Sequence, residues 1–370
     1  LRESICASFF LLSVIAAILT AVSLLGVDAL IRWMNIPHEI QTMTKDYMVL
    51  IFCGIPAVAV YNYFGAYLKA LGNSVVPLIF LGISTIFNIG LDILFVAVFE
   101  MGTAGAAAAT ILSQYISGIG IGIYVLVKNK KMRHALFRFQ VKLSSFLEIA
   151  RYSVLTCLQQ SVMNFGILLV QGLVNSFGTT VMAGFAAAVK IDSFTYMPVQ
   201  EYANAFSTFI AQNAGAKKKE RIWAGIRYAV LTSFSYCIAA SVLLWFLAEP
   251  LMHVFIKADE TAVVAEGVHF LHVVGPFYCG IGCLFLFYGL YRAVGKPAMS
   301  VVLTVISLGT RVGLSYVLSG VPAIGVTGIW WSIPIGWGLA DLTGLLYLMK
   351  KKEEVIGWQK QKQKHSFPVC

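Results

Sequence analysis

The chain has 370 residues, of which 59% are apolar and 12% charged, with a mean hydropathy of +0.81. A soluble core of that size needs far more surface charge, so the composition excludes an aqueous globular protein and marks a polytopic membrane protein. The net charge of +10 does not point to nucleic acid, because it is segregated. On the helix assignment below, all but five of the 27 Lys and Arg fall on one side of the membrane: Arg32, Lys45 and Lys257 lie on the other, and Lys190 and Arg311 lie within the bilayer. That asymmetry places the rich loops in the cytoplasm.

Taking a spanning helix as about 20 mostly apolar residues, the chain reads as ten helices, at 5–33, 40–68, 75–99, 103–128, 146–175, 180–211, 222–248, 260–291, 298–319 and 324–349. The fold class is therefore all-α. Turn residues separate the segments, as at Gly72-Asn73-Ser74, Gly178-Thr179-Thr180 and Gly320-Val321-Pro322. Trp33, Trp223 and Trp245 sit near helix ends, where indoles anchor at the membrane interface. The cysteines are scattered, and Cys279 and Cys283 have no second pair, so neither a disulfide framework nor a zinc site is indicated.

The stretch from Lys69 to Lys128 occurs twice, at a constant offset of 223 residues. Gly72 falls on Gly295, Ser84 on Ser307, Gly90 on Gly313, and Gly102 and Gly105 on Gly325 and Gly328. A repeat this long, built from apolar segments, means two copies of one bundle. The helices at 146–211 have first-copy partners only before residue 1, so the pattern predicts a six-plus-six, twelve-helix protein whose first two helices precede this sequence.

Asn88 and Asp92 lie mid-membrane in the third helix, four residues apart and hence within about 40° of one face. Ser84 continues the stripe, and Thr110 on the next helix adds an oxygen. Carboxylate, amide and hydroxyl oxygens suit a small hard cation or a proton. The second copy carries Ser307, Arg311 and Ser315 at these positions, so the halves cannot share one cation chemistry. Cation binding belongs to the first half, while Arg311 pairs with an acid or lines the cavity.

Helix 180–211 holds Lys190, Asp192 and Glu201 around Pro198. Lys190 and Glu201 share a face and Asp192 points away, which predicts a water-filled cavity or an internal charge pair. The helix before it bears Gln160, Asn164, Gln171 and Asn175 in one stripe, lining a pathway or bonding between helices. Phe64, Phe287, Tyr67, Tyr196 and Tyr288 could wall an organic cation or simply pack. Asp341 is a lone carboxylate in the last helix. Glu266, His269 and His272 have the residue types of a metal triplet but diverge around their helix, so a polar helix end is the better reading. No nucleophile triad, phosphate loop or dinucleotide motif occurs, so the chain is not an enzyme and needs no cofactor beyond a coupling ion.

At these residues the chain resembles the MATE (multidrug and toxic compound extrusion) family. The similar stretches are Tyr67-Leu-Lys-Ala-Leu-Gly-Asn-Ser74 with Pro77, Asn88-Ile-Gly-Leu-Asp92, Gly102-Thr-Ala-Gly-Ala106, Ala211-Gln-Asn-Ala-Gly-Ala216 and Leu290-Tyr-Arg-Ala-Val-Gly-Lys-Pro297. The run from Lys190-Ile-Asp-Ser-Phe through Gln212-Asn213 is similar to bacterial members. This resemblance implies a two-lobe antiporter that exports organic cations in exchange for Na⁺ or H⁺, with Asn88, Asp92 and Thr110 in the N-terminal-lobe cation site. Lys190, Asp192, Glu201, Gln160, Asn164 and Arg311 are the candidates for substrate contact or coupling. The lobes are expected at 1–128 (the family's helices 3–6) and 146–350 (helices 7–12), joined by a cytoplasmic linker at 129–145 and followed by a basic cytoplasmic tail at 351–370. A monomer in the cell membrane is expected, with no nucleic-acid partner. A lipid-linked saccharide flippase of similar architecture is the alternative; it would need several cations for a pyrophosphate, and only Lys190 and Arg311 lie within the bundle.

Overall fold

The computed structural model describes residues 2–33, 38–137, 143–257 and 259–351. Almost every described residue is helical, and no strand occurs among them. The helices are α1 (Arg2–Trp33), α2 (His38–Cys53), α3 (Ile55–Ala70), α4 (Val75–Asp92), α5 (Gly102–Lys128), α6 (Lys130–Phe137), α7 (Leu143–Asn175), α8 (Thr179–Gly215), α9 (Lys219–Met252), α10 (Thr261–Val274), α11 (Tyr278–Ala293), α12 (Pro297–Ser319) and α13 (Thr327–Lys350). A π-helical stretch, Ile93–Val98, continues α4 without a break, and a 3₁₀ turn, Gly275–Phe277, joins α10 to α11.

Large apolar side chains project outwards all along these helices: Leu25 is 88% exposed and Phe246 75%. Water would not tolerate that much contiguous apolar surface, whereas a bilayer requires it. The inner faces carry small residues instead. α5 buries Gly105, Ala107, Ala109, Ser113, Ser117, Gly118 and Gly122, which lets neighbouring backbones approach. A Cβ on Gly118 would meet the Ala57 carbonyl oxygen at 2.8 Å.

The duplication holds at the level of the elements. Shifted by 223 residues, α3 coincides end for end with α11. Gly72 and Gly295, at repeat-related turns, take φ of +85° and +78°, and Gly102 and Gly325 take +57° and +54°. Positive φ at paired glycines shows that both copies use the same turns, which L side chains adopt only with strain.

Three details go beyond the expected pattern. The helices expected at 40–68 and 260–291 are each broken, at Gly54 and at Gly275–Phe277. Pro56 stands just inside α3 and Pro276 within the 3₁₀ turn itself; proline lacks an N–H and clashes with the preceding turn. The linker expected at 129–145 contains α6, whose buried Met132 and Ala135 pack with Ile5 and Cys6 of α1. The Cys6 thiol donates to the Ala135 carbonyl at 2.7 Å. Finally, among the described residues nine segments are long and apolar enough to cross a membrane; the tenth expected helix, α8, is present at 37 residues but carries too many polar groups to be counted with them.

The chain forms two compact units, one up to Arg151 and one from Tyr152 onward. The division falls inside α7, later than the expected boundary, and at the first turns of α7 the Phe146 ring lies 6.4 Å from that of Phe10 on α1. Residues 138–142 of the expected linker, and the expected tail from residue 352, lie outside the described residues. Within the second unit α11 is the hub, packing on α8, α9, α12 and α13 and burying Leu284 through Tyr291. Trp330 of α13 stacks on Phe185 at 5.1 Å and meets Phe270 edge-on at 5.0 Å.

Candidate functional site

In the first unit, α4 and α5 pack side by side and bring the predicted polar residues together. Asn88 Nδ2 lies 3.5 Å from Thr110 Oγ1, at the outer limit of a hydrogen bond. The Thr110 hydroxyl spends its proton on the Ala106 carbonyl at 2.9 Å, so its lone pairs face Asn88. Ser84 is used otherwise: it is buried and donates to the Ser113 carbonyl at 2.9 Å, closing the helix crossing. Asp92 follows one turn after Asn88, and its Oδ1 is buried without a hydrogen-bond partner. Immediately beyond it the backbone widens into the π-helix Ile93–Val98, with Phe99 N–H bonded back to the Leu94 carbonyl at 2.9 Å. Such interruptions often mark functional sites; the apolar run Ile-Leu-Phe-Val gave no sign of it.

The repeat-related place in the second unit is finished differently. Ser315, at the position of Asp92, is fully buried and its hydroxyl lies 2.7 Å from that of Ser332. Ile333 takes the position of Thr110. Arg311, at the position of Asn88, has a buried Nε with no hydrogen-bond partner and interacts electrostatically with Asp192.

The three ionisable residues of α8 are parted. Lys190 Nζ stands over the Phe255 ring at 5.7 Å from its centroid, a cation–π contact. Asp192 accepts a short hydrogen bond of 2.6 Å from the Tyr278 hydroxyl at the start of α11. Glu201 instead borders a polar cavity of about 220 Å³ among α7, α8 and α11, so the shared face expected for Lys190 and Glu201 does not give a shared site.

That cavity is lined by Gln159 and Gln160 of α7, Gln200, Glu201 and Asn204 of α8, and Arg292 of α11, among others. Arg292 Nη2 donates to Asn204 Oδ1 at 3.1 Å and its Nε to the Tyr288 carbonyl at 3.2 Å. Asn204 Nδ2 in turn approaches Glu201 Oε1 at 3.4 Å. Of the expected polar stripe on α7 only Gln160 reaches this cavity. Asn164 is exposed outside it, and Gln171 donates to Asn175 at 2.9 Å. Asn204 and Arg292 escaped the sequence reading; Asn204 was legible as the residue one turn after Glu201, whereas Arg292 reads as one more charge at a cytoplasmic helix end.

The remaining candidates have local roles. Phe64 is a core residue of the first unit, and Phe287 stacks on Tyr291 at 6.0 Å in the second. His272 stacks on Trp245 at 4.4 Å and its Nε2 lies 3.0 Å from the Trp245 carbonyl oxygen. Asp341 occupies the repeat position of Gly118, and it fits because its opposite number on α11 is Gly280, where a Cβ would lie 3.8 Å from Oδ2.

A duplicated all-helical membrane bundle, whose halves carry different polar chemistry at matched positions, has the architecture of a secondary transporter. The MatE family model matches residues 1–94 and 155–317, and the chain belongs to that family, whose members are transporters rather than enzymes. Among curated relatives it is similar to the probable multidrug resistance protein YpnP of Bacillus subtilis, at 31% identity over 280 residues, covering 76% of this chain and 62% of that one. It is also similar to the probable multidrug resistance protein NorM of Thermotoga maritima, at 27% identity, covering 87% and 70%. The chain thus spans less than two thirds of the first of these relatives. A crystal structure of MATE in the bent conformation covers 96% of this chain and 79% of its own, with a TM-score of 0.89 at 20% identity, a likeness of fold.

Proposed function

We propose that this protein acts in ion-driven export of drug-like small molecules across the cell membrane, with Asp92 as the coupling group. The observation that carries the reading is the orphaned, buried Oδ1 of Asp92, one turn from the Asn88–Thr110 contact. A carboxylate oxygen held in an apolar bundle without a donor is costly unless a proton or cation completes it. Na⁺ and H⁺ both satisfy that need: the first would take oxygens from Asp92, Asn88 and Thr110, the second only Asp92. Ion binding would neutralise the buried charge and favour one of two access states, and the difference in affinity between the states drives exchange. The names of the relatives support drug-like substrates, and a monomer with its basic loops in the cytoplasm completes the reading. A flippase for pyrophosphate-linked lipid fits less well, since Lys190 stands over the Phe255 ring and Arg311 already has the negative charge of Asp192 in its surroundings.

The test is dye efflux from proteoliposomes under an imposed Na⁺ gradient and then a proton gradient. One of the two gradients should drive efflux, and Asp92→Asn should abolish it while membrane insertion is kept. Efflux unchanged in Asp92→Asn would refute the assignment.

A further inference from the structure

We propose that the cavity among α7, α8 and α11 is a binding subsite for a small dipolar molecule bearing an ammonium and a carboxylate, with Glu201 receiving the first and Arg292 the second. This names a substrate class within the export reading and rests on that reading only for calling the ligand a substrate.

Three observations converge. First, the lining carries one carboxylate and one guanidinium, so a purely cationic ligand would meet Arg292 unfavourably and a purely anionic one Glu201. A dipolar ligand satisfies both. Second, Asn204 is interposed between the two charges, accepting from Arg292 at 3.1 Å and approaching Glu201 at 3.4 Å. Each head is thus oriented while keeping free capacity: Arg292 Nη1 and Glu201 Oε2 have no protein partner among the described residues. A carboxylate matches the guanidinium edge that remains. Third, Gln159, Gln160 and Gln200 line the same space with side-chain amides that are not spent on protein hydrogen bonds among the described residues. These amides can donate to a carboxylate or accept from an ammonium held between Glu201 and Arg292. Met163, Phe285 and Tyr288 complete the wall with apolar surface. At about 220 Å³ the space is below the 300–1,000 Å³ typical of drug-sized ligands, so the occupant is of amino-acid size.

The experiment uses three matched probes on the purified full chain in detergent: phenylalanine, 2-phenylethylamine and 3-phenylpropionate, each titrated by calorimetry. Phenylalanine should bind at least tenfold tighter than either singly charged probe. Glu201→Gln should erase its advantage over 3-phenylpropionate, and Arg292→Gln its advantage over 2-phenylethylamine. Glu201 is exposed and supports no core packing, so its variant tests the proposal even where Arg292→Gln fails to fold. Asp92→Asn should retain phenylalanine binding, which separates this subsite from the coupling site. Equal binding of the three probes, no binding by any, or a ranking untouched by Glu201→Gln would overturn the proposal.

Discussion

The hydroxyls of Ser315 and Ser332 lie 2.7 Å apart in the second unit, and this contact closes the position that Asp92 leaves open in the first. The two residues occupy matched places in a duplicated bundle, yet one is saturated and the other has an oxygen to spare. The expected behaviour of the chain follows from that asymmetry.

Exchanging the two residues should move stability in opposite directions. Asp92→Ser removes a buried acceptor that has no donor and should raise the thermal unfolding midpoint in detergent. Ser315→Asp forces a carboxylate into a site of zero exposure beside Ser332, whose proton already goes to the Ile329 carbonyl, and should lower it. Midpoints from detergent melts decide the matter, and a fall in Asp92→Ser would mean that the carboxylate is paired.

Thr110 should matter through its lone pairs rather than its shape. Its proton is committed to Ala106, so Thr110→Val removes the acceptor near Asn88 with little change in volume. Loss of one such contact, about 1 kcal/mol, should raise the ion concentration for half-maximal efflux about fivefold if the ion is Na⁺. Thr110→Ser should restore it. A proton-coupled protein would show no change in either variant, which makes this pair a test of ion identity.

The Tyr278–Asp192 hydrogen bond should be worth more than an ordinary one. At 2.6 Å to a carboxylate inside the bundle, its removal in Tyr278→Phe should cost about 1.5–3 kcal/mol. The double variant Tyr278→Phe with Asp192→Asn should recover part of that loss, because an amide leaves less unmet charge. Additive effects in the double-variant cycle would count against direct coupling.

The glycines at two repeat-related helix contacts, Gly118 opposite Ala57 and Gly280 opposite Asp341, should differ in their tolerance of alanine. On Gly118 a Cβ would reach the Ala57 carbonyl at 2.8 Å, whereas on Gly280 the nearest atom is the Trp337 Cβ at 3.5 Å. Gly118→Ala should therefore lower the unfolding midpoint, and Gly280→Ala should be close to neutral. Size-exclusion profiles after graded heating give the comparison directly.

How much of this was legible beforehand differs by level. The duplication, the membrane environment and the Asn88–Asp92 pair could be read from periodicity, because a helix repeats every 3.6 residues and fixes which side chains share a face. The breaks at Gly54 and Gly275–Phe277 were signalled by Pro56 and Pro276, though apolar periodicity ran straight through them. The π-helix after Asp92 had no sequence signal, and neither did the docking of α6 onto α1.

The sequence by itself determined an all-helical, twice-repeated membrane bundle with its unusual carboxylate in one copy only, since composition, offset and helical phase are properties of the chain alone. Only the tertiary structure decided that Lys190, Asp192 and Glu201, neighbours on one helix, serve three different places, and that Glu201 shares its cavity with Arg292 from 91 residues further on. Helical phase says which way a side chain faces along its own axis. What it meets there depends on which other helix packs against that face, and that is set by the fit of small residues between helices as far apart in the chain as α8 and α11.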